Sequence, residues 1–241
     1  MQALGVQGPT SHVLMAFLEL YEHINWYYFV IFGFVFTAIW LILVHFCFYK
    51  SEPYSPRRVF QLTASYVVHC NWLELVWTIL PMFILLSIAV PSFSLIYLVD
   101  EFFGTPVFSL KIIGHQWYWS YEYVFGDKTW GFDSYIESDD SLKKGELRLL
   151  EVDRTVVIPR DVIVRVYVTS DDVIHSWALP SHGLKMDAIP GRLNQFVFFF
   201  NVKGTFYGQC SELCGVNHGF MPIAVHVVDL KKFIKWFNKL D

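Results

Sequence analysis

The chain has 241 residues, 54% of them hydrophobic and only 17% charged, with a formal net charge of −4. That charge excludes a nucleic-acid binder working through a basic surface, and the apolar excess excludes an ordinary soluble domain and implies a membrane part. Four cysteines are too few for a disulfide-built scaffold.

The first residues carry no positive n-region, and the first apolar run starts only after residue 20. Neither a secretory signal nor an Arg-rich transit peptide is therefore expected. The run "WYYFVIFGFVFTAIWLILVHFCFY", residues 26–49, is free of Asp, Glu, Lys and Arg. As a helix it extends about 36 Å, enough to cross a bilayer with tilt. A second run, residues 75–99, is equally uncharged and contains Pro81 and Pro91, which membrane helices tolerate. Between them lie Lys50, Arg57 and Arg58 against Glu52, whereas no Lys or Arg precedes the first run. The positive-inside rule places this loop on the cytoplasmic or matrix side and both termini on the other. Cys47 and Cys70 sit in or near these segments, where membrane packing accounts for them.

From Thr105 the texture changes to short runs rich in Val, Ile, Phe and Tyr. Many alternate, and Gly, Pro, Asp and Ser interrupt them, as in a small all-β sandwich or barrel. The last stretch, "DLKKFIKWFNKLD", has Leu230, Phe233, Ile234 and Phe237 at helical spacing and predicts a short amphipathic helix. The expected organisation is residues 1–104 as an N-terminal segment with a two-helix transmembrane hairpin, then 105–241 as a membrane-anchored all-β domain.

The chemistry concentrates in "GQCSELCGVNHGFMPI", Gly208 to Ile223, which holds Cys210, Glu212, Cys214, His218 and Met221. Thiolate and thioether together favour copper over zinc, magnesium or calcium, and a structural zinc site has no use for Met. Cys214-x3-His218-x2-Met221 has the spacing of a cupredoxin ligand loop, to which Cys210 adds one thiol more than a single blue copper needs. Gly215 and Gly219 flank the donors and are expected to form tight turns, and Pro222 ends the loop. Two bridging thiolates could hold two coppers, each with its own imidazole. His218 is one; His115, His175, His182 and His226 are the candidates for the other. His175 ends a strand in "DDVIHSWALP" and His182 is its main competitor; spacing alone does not decide between them.

"DDVIHSWALP", "GLKMDAIPGR", "GTFYGQCSELCGVNHGFMPI", "GHQWYWSYEY" and "LELVWTILP" together closely resemble subunit II of mitochondrial-type cytochrome c oxidase, over nearly the whole chain. The resemblance implies a cupredoxin-like β-barrel or sandwich carrying a binuclear copper centre, CuA. Cys210 and Cys214 would be its bridging thiolates and His175 and His218 its imidazoles. Met221 and the Glu212 carbonyl would be the weak axial ligands. It further implies that the Glu212 side chain binds a magnesium shared with the catalytic subunit, that electrons enter through Trp117, and that Glu74 stands at the mouth of a proton path. The implied partners are cytochrome c, the haem-bearing catalytic subunit I, other oxidase subunits and membrane lipid. The implied place is the mitochondrial inner membrane, with the copper domain in the intermembrane space and the helix-connecting loop in the matrix. The implied activity is electron transfer from cytochrome c to haem, supporting oxygen reduction and proton pumping in the partner subunit. Met186, in place of a common Thr, and His182, in place of a small or apolar residue, depart from the family pattern.

Other readings remain for these residues. Trp117, Tyr118 and Trp119 suit an interfacial aromatic belt, and Glu74 suits a snorkelling carboxylate at a membrane edge. Asp171, Asp172, Glu122 and Asp127 would form an acidic face steering a basic electron carrier. The rival functions are a membrane-anchored copper-delivery or thiol-redox protein and a mononuclear blue copper carrier. The first would show a βαβ pattern; the second would tolerate loss of Cys210. No C-x-x-C-H haem motif is present.

Overall fold

The structure is a computed structural model and describes residues 12–48, 69–100 and 105–240. The chain divides into two units, one of them Leu18–Ile96, and each is described by itself.

Two helices dominate the first unit, α1 (His12–Phe48) and α2 (Asn71–Asp100). Both are long and apolar enough to cross a membrane. Phe29, Phe32, Phe34 and Phe36 on α1, and Trp72, Phe83 and Leu85 on α2, are exposed, so their apolar surface requires a nonaqueous surrounding. Tyr27 and Ser87 join the helices by a 2.8 Å hydroxyl hydrogen bond. Pro81 and Pro91 lie inside an unbroken α2. α1 starts well before the expected residue 26. Glu19, Glu22 and His23 interrupt the apolar run there, but "HVLMAFLELYEHIN" is rich in helix formers, so hydropathy ends where helicity does not. The basic loop with Lys50, Glu52, Arg57 and Arg58 lies outside the described residues, as does the expected boundary at 104.

Ten strands follow. β1 (Phe108–His115), β2 (Tyr118–Phe125), β3 (Lys128–Ser134), β5 (Val164–Ser170) and β8 (Asn194–Phe198) make a five-stranded sheet ordered β3-β2-β1-β5-β8. β4 (Val156–Pro159), β9 (Gly204–Gln209) and β10 (Pro222–Val228) make a second, ordered β4-β10-β9. β6 (His175–Leu179) and β7 (Leu184–Ala188) form a two-stranded ribbon. Pairing is antiparallel except for β1 with β5 and β10 with β4, which run parallel.

The alternation visible in the sequence is the alternation of burial. Leu110 and Ile112 on β1, Trp119, Tyr121 and Tyr123 on β2, and Val164, Val166 and Val168 on β5 all point inward. They meet Val156, Ile158, Ile223 and Val225 in one core, at about 2 kcal/mol for each fully buried aliphatic side chain. The Tyr123 hydroxyl is satisfied by the Val157 carbonyl and amide, both at 2.9 Å. The terminal helix α3 (Leu230–Phe237) closes one end: Phe233 stacks on Phe108 at 5.3 Å, and Trp236 meets Trp130 edge-on at 5.7 Å. β6 differs, being buried at every position, so its first residue starts inside the protein.

Candidate metal centre

β9 and β10 form an antiparallel hairpin whose last register pair at the loop end is Gln209↔Pro222. Residues 210–221 are its connection. Cys210 follows directly on β9 and Met221 directly precedes β10, so ladder hydrogen bonds fix both ends of the donor loop. Between them the chain turns at Gly215, whose φ of +119° suits glycine, and winds into a 3₁₀ turn, His218–Phe220. Gly219 has no such φ and nothing near its would-be Cβ, so only Gly215 needs to be glycine for the turn.

This loop crowds soft donors together. Cys210 Sγ and Cys214 Sγ are 3.9 Å apart, both thiols free. That is nearly twice a disulfide bond length. Cys214 Sγ lies 3.5 Å from His218 Nδ1 and 3.5 Å from Met221 Sδ. Cys210 Sγ lies 3.3 Å from the Glu212 carbonyl oxygen. Donor atoms of His175, Cys210 and Cys214 all fall within 4.8 Å of one another, and these three residues are buried. His175 arrives from the start of β6 with its Nδ1 buried and without a hydrogen-bond partner. A buried nitrogen lone pair facing two thiols suits a metal ligand.

His175 is held from behind. Its Nε2 is 2.8 Å from Asp172 Oδ1, and since a carboxylate only accepts, the proton sits on Nε2. Burial opposes a charge on His175, but the Cys210 and Asp172 contacts outweigh it and raise its pKa. Burial likewise raises the pKa of Asp172, but hydrogen bonds from His175, Val173 and Gln116 pull it below its ordinary value. Cys214 is pushed up by burial and by the neighbouring Cys210. Cys210 is the more acidic thiol: burial opposes its ionisation, but the neighbouring His175 ring and backbone amides outweigh burial.

Trp117 is half-buried, and its indole Nε1 donates to the Cys214 carbonyl at 3.3 Å, which places the ring against the donor loop. The Glu212 side chain is exposed. Glu74 lies in the first turn of α2, in the other unit, with Thr78 Oγ1 on its carbonyl at 2.8 Å. His182 is away from the thiols: its ring packs against Phe200 and Phe206, at 4.0 and 4.5 Å, and burial lowers its pKa to about 3. His226 is on the outer face of β10, bonded to Thr205 at 2.9 Å. His115 stacks on Tyr118 at 4.6 Å.

The expected acidic face divides. Asp171 is 77% exposed, whereas Asp172, 31% exposed, turns its carboxylate to His175 and Glu122 pairs with Lys111 at 3.0 Å. Sequence reasoning did not single out Gln116, whose side-chain amide donates to Cys214 O at 2.9 Å, or Gly114 and Gly208. A Cβ on Gly114 would stand 2.8 Å from His175 Cδ2, and one on Gly208 would stand 1.8 Å from the Ala178 carbonyl oxygen.

A family described as "Cytochrome C oxidase subunit II, periplasmic domain" matches residues 108–228, and its companion "Cytochrome C oxidase subunit II, transmembrane domain" matches residues 1–95. Cytochrome c oxidase subunit 2 of Phytophthora megasperma is 44% identical, covering 99% of this chain and 87% of that protein. The mitochondrial cytochrome c oxidase subunit 2 of Vigna unguiculata is also 44% identical, covering 98% of this chain and 61% of that one. The crystal structure of the periplasmic domain of subunit II of cytochrome oxidase of Bradyrhizobium japonicum is 48% identical, with a TM-score of 0.51, and covers 57% of this chain and 95% of that domain. With both family segments matched and relatives similar along almost its whole length, the chain belongs to the cytochrome c oxidase subunit II family, components of haem-copper oxidases whose general role is electron transfer at copper.

Proposed function

We propose that this chain accepts electrons from cytochrome c at a binuclear copper centre and passes them to haem in the catalytic subunit I. The observation that carries this reading is the donor set: two free thiols 3.9 Å apart, with imidazole, thioether and carbonyl donors around them, on one closed hairpin loop and one neighbouring strand. Cys210 and Cys214 would bridge, His175 and His218 would supply one nitrogen each, and Met221 Sδ and the Glu212 carbonyl would be the weak ligands. Bound there, the copper pair supplies a one-electron carrier whose charge is shared by two nuclei.

The protein's own residues hold the donors rigid, exclude water and shield the site. The Trp117 ring, hydrogen-bonded to Cys214 O, is the route inward for the electron. The exposed Glu212 carboxylate offers one ligand to a magnesium completed by the catalytic subunit; alone it is not a cation site. Glu74 receives the proton-path role by resemblance and by its place in the first turn of α2. Residues 1–104 form the anchor and 105–241 the copper domain, in the mitochondrial inner membrane. Lys50, Arg57 and Arg58 support a matrix-side loop and a domain in the intermembrane space. Labelling the exposed Cys70 with a membrane-impermeant maleimide tests this: in mitoplasts it should react only after the membrane is opened.

The deciding experiment is copper analysis with electron paramagnetic resonance on the detergent-solubilised full chain. Two coppers per chain, with one unpaired electron split equally by both nuclei, is the expected result. One copper with single-nucleus splitting would remove Cys210 as a bridge and leave a blue copper carrier or a delivery protein.

A further inference from the structure

Asp172 makes more contacts than an acidic surface residue would. Oδ1 accepts from His175 Nε2 at 2.8 Å and from Val173 N at 2.6 Å, and lies 3.3 Å from Ser170 Oγ. Oδ2 accepts from Gln116 N at 2.6 Å. The Asp172 amide is itself bonded to Ser170 Oγ at 3.3 Å. Ser170 is buried, and its single hydroxyl proton faces Val173 O at 2.5 Å and Gly114 O at 3.1 Å. One carboxylate thus joins three chain segments: the end of β5, the start of β6 and the β1–β2 turn.

The far side of that turn reaches the thiol loop. Gln116, whose amide is on Asp172, donates through Nε2 to Cys214 O, and the next residue, Trp117, donates to the same oxygen. The sequence of contacts runs from His175 through Asp172 and the Gln116–Trp117 turn to Cys214, a continuous chain of polar contacts linking two of the donors. Gly114 completes it, because its missing side chain leaves the space that the His175 ring fills.

We propose that Asp172 is a positioning residue: it locks His175 in the tautomer protonated on Nε2, with the Nδ1 lone pair aimed at the thiols, and fixes the Trp117 indole on Cys214 O. The proposal rests on the copper reading for its purpose but not for its geometry, which exists without metal. An isolated imidazole in water samples both tautomers. A charge-assisted hydrogen bond on Nε2–H biases the ratio about ten- to a hundredfold. Asp171, by contrast, is exposed and faces His115 Nδ1 at 3.8 Å.

The test uses the copper-free full chain in detergent, labelled with 15N at histidine side chains and tryptophan indoles, as wild type, D172N and D171N. The D172N side chain keeps the shape of the carboxylate but presents an amide N–H to Gln116 N–H or to His175 Nε2–H, one donor against another. The expected result is a His175 tautomer ratio that falls at least tenfold in D172N, with a shifted Trp117 indole resonance, while D171N matches wild type. The conservative D172E, which keeps a charged acceptor, should restore much of the ratio. If D172N leaves both signals unchanged, or if D171N moves them equally, Asp172 is an ordinary surface charge and the proposal falls. If D172N does not accumulate as folded chain, D172E decides: the wild-type ratio and indole resonance together support the lock, and their loss overturns it. Failure to find two coppers would overturn the functional reading and leave these signals untouched.

Discussion

Replacing Gly208 with alanine probes the crossing that brings the two halves of the metal centre together. Gly208 sits on β9, two residues before Cys210, and faces the main chain of β6 between Ala178 and Leu179. A methyl there would stand 1.8 Å from the Ala178 carbonyl oxygen, so β6 and β9 must separate by more than an ångström to reach ordinary contact. The obstacle is backbone, and β6 is buried along its whole length, so no flexible side chain can yield. Overpacking costs about 1–3 kcal/mol, and this site belongs at the top of that range. The expected loss is about 3 kcal/mol, or roughly 10 °C in Tm. Because β6 begins with His175 and β9 leads into Cys210, the same separation pulls an imidazole from a thiol. Copper affinity should fall at least tenfold, since about 1.4 kcal/mol suffices for that. Thermal unfolding of the copper-free chain, followed by near-ultraviolet circular dichroism, measures the first effect, and competition against a copper chelator measures the second. Gly219→Ala is the control: nothing approaches its Cβ, so its stability should stay within about 0.5 kcal/mol of the parent. If G208A melts with the parent and binds copper as tightly, the close approach of β6 and β9 is not what holds the donors together.

Further outcomes follow from the same geometry. Cys210→Ser should reduce the chain from two coppers to at most one; retention of two, by metal analysis, would refute the bridging role. If Met221 is the weak ligand proposed above, Met221→Leu should keep the copper content close to the parent's while moving the reduction potential; large copper loss would count against that role. In the copper-free chain at pH 8, iodoacetamide should modify Cys210 well before Cys214, since hydrogen bonds favour the first thiolate and its charge opposes the second. Peptide mapping by mass spectrometry reads the order. Asp229 is held below the usual carboxylate range by the Lys203 hydrogen bond, with Lys203, Arg160 and Lys232 adding charge. A depressed folded value stabilises above the unfolded pKa of about 4 and is lost as pH falls through the folded one. The stability difference between the parent and D229N should therefore be complete at neutral pH and fade in acid.

Much of this architecture was legible because it rests on local patterns. The strands β1, β2 and β5 alternate in sequence as they alternate in burial, and the spacing of Leu230, Phe233 and Phe237 announced α3. The donor loop was legible because five unusual side chains stand within twelve residues. The start of α1 was not, since Glu19 and Glu22 end the apolar pattern without ending the helix. β6 gives no alternation because it is buried on both faces. Gly208, Gly114 and Gln116 carry no signal of their own; each matters through a residue dozens of positions away that only the fold brings near. Asp172 was misleading in another way: beside Asp171 it reads as one of a pair of surface charges, and only backbone direction separates the outward carboxylate from the one turned to His175. His182, the sequence competitor of His175, packs against Phe200 and Phe206 while His175 joins the two thiols, a difference no spacing predicts.

The pinned hairpin has a consequence for assembly. With Gln209 paired to Pro222, the loop donors travel as one preformed clip, while the remaining imidazole comes from a ribbon that is distant in sequence and must dock separately. Metal captured by the clip alone would be held loosely; metal captured after β6 has seated would be held tightly. With the donors proposed above, copper affinity would gauge tertiary completion. A cell that loads this subunit from a buffered copper supply would discriminate seated from unseated chains without a separate inspection step.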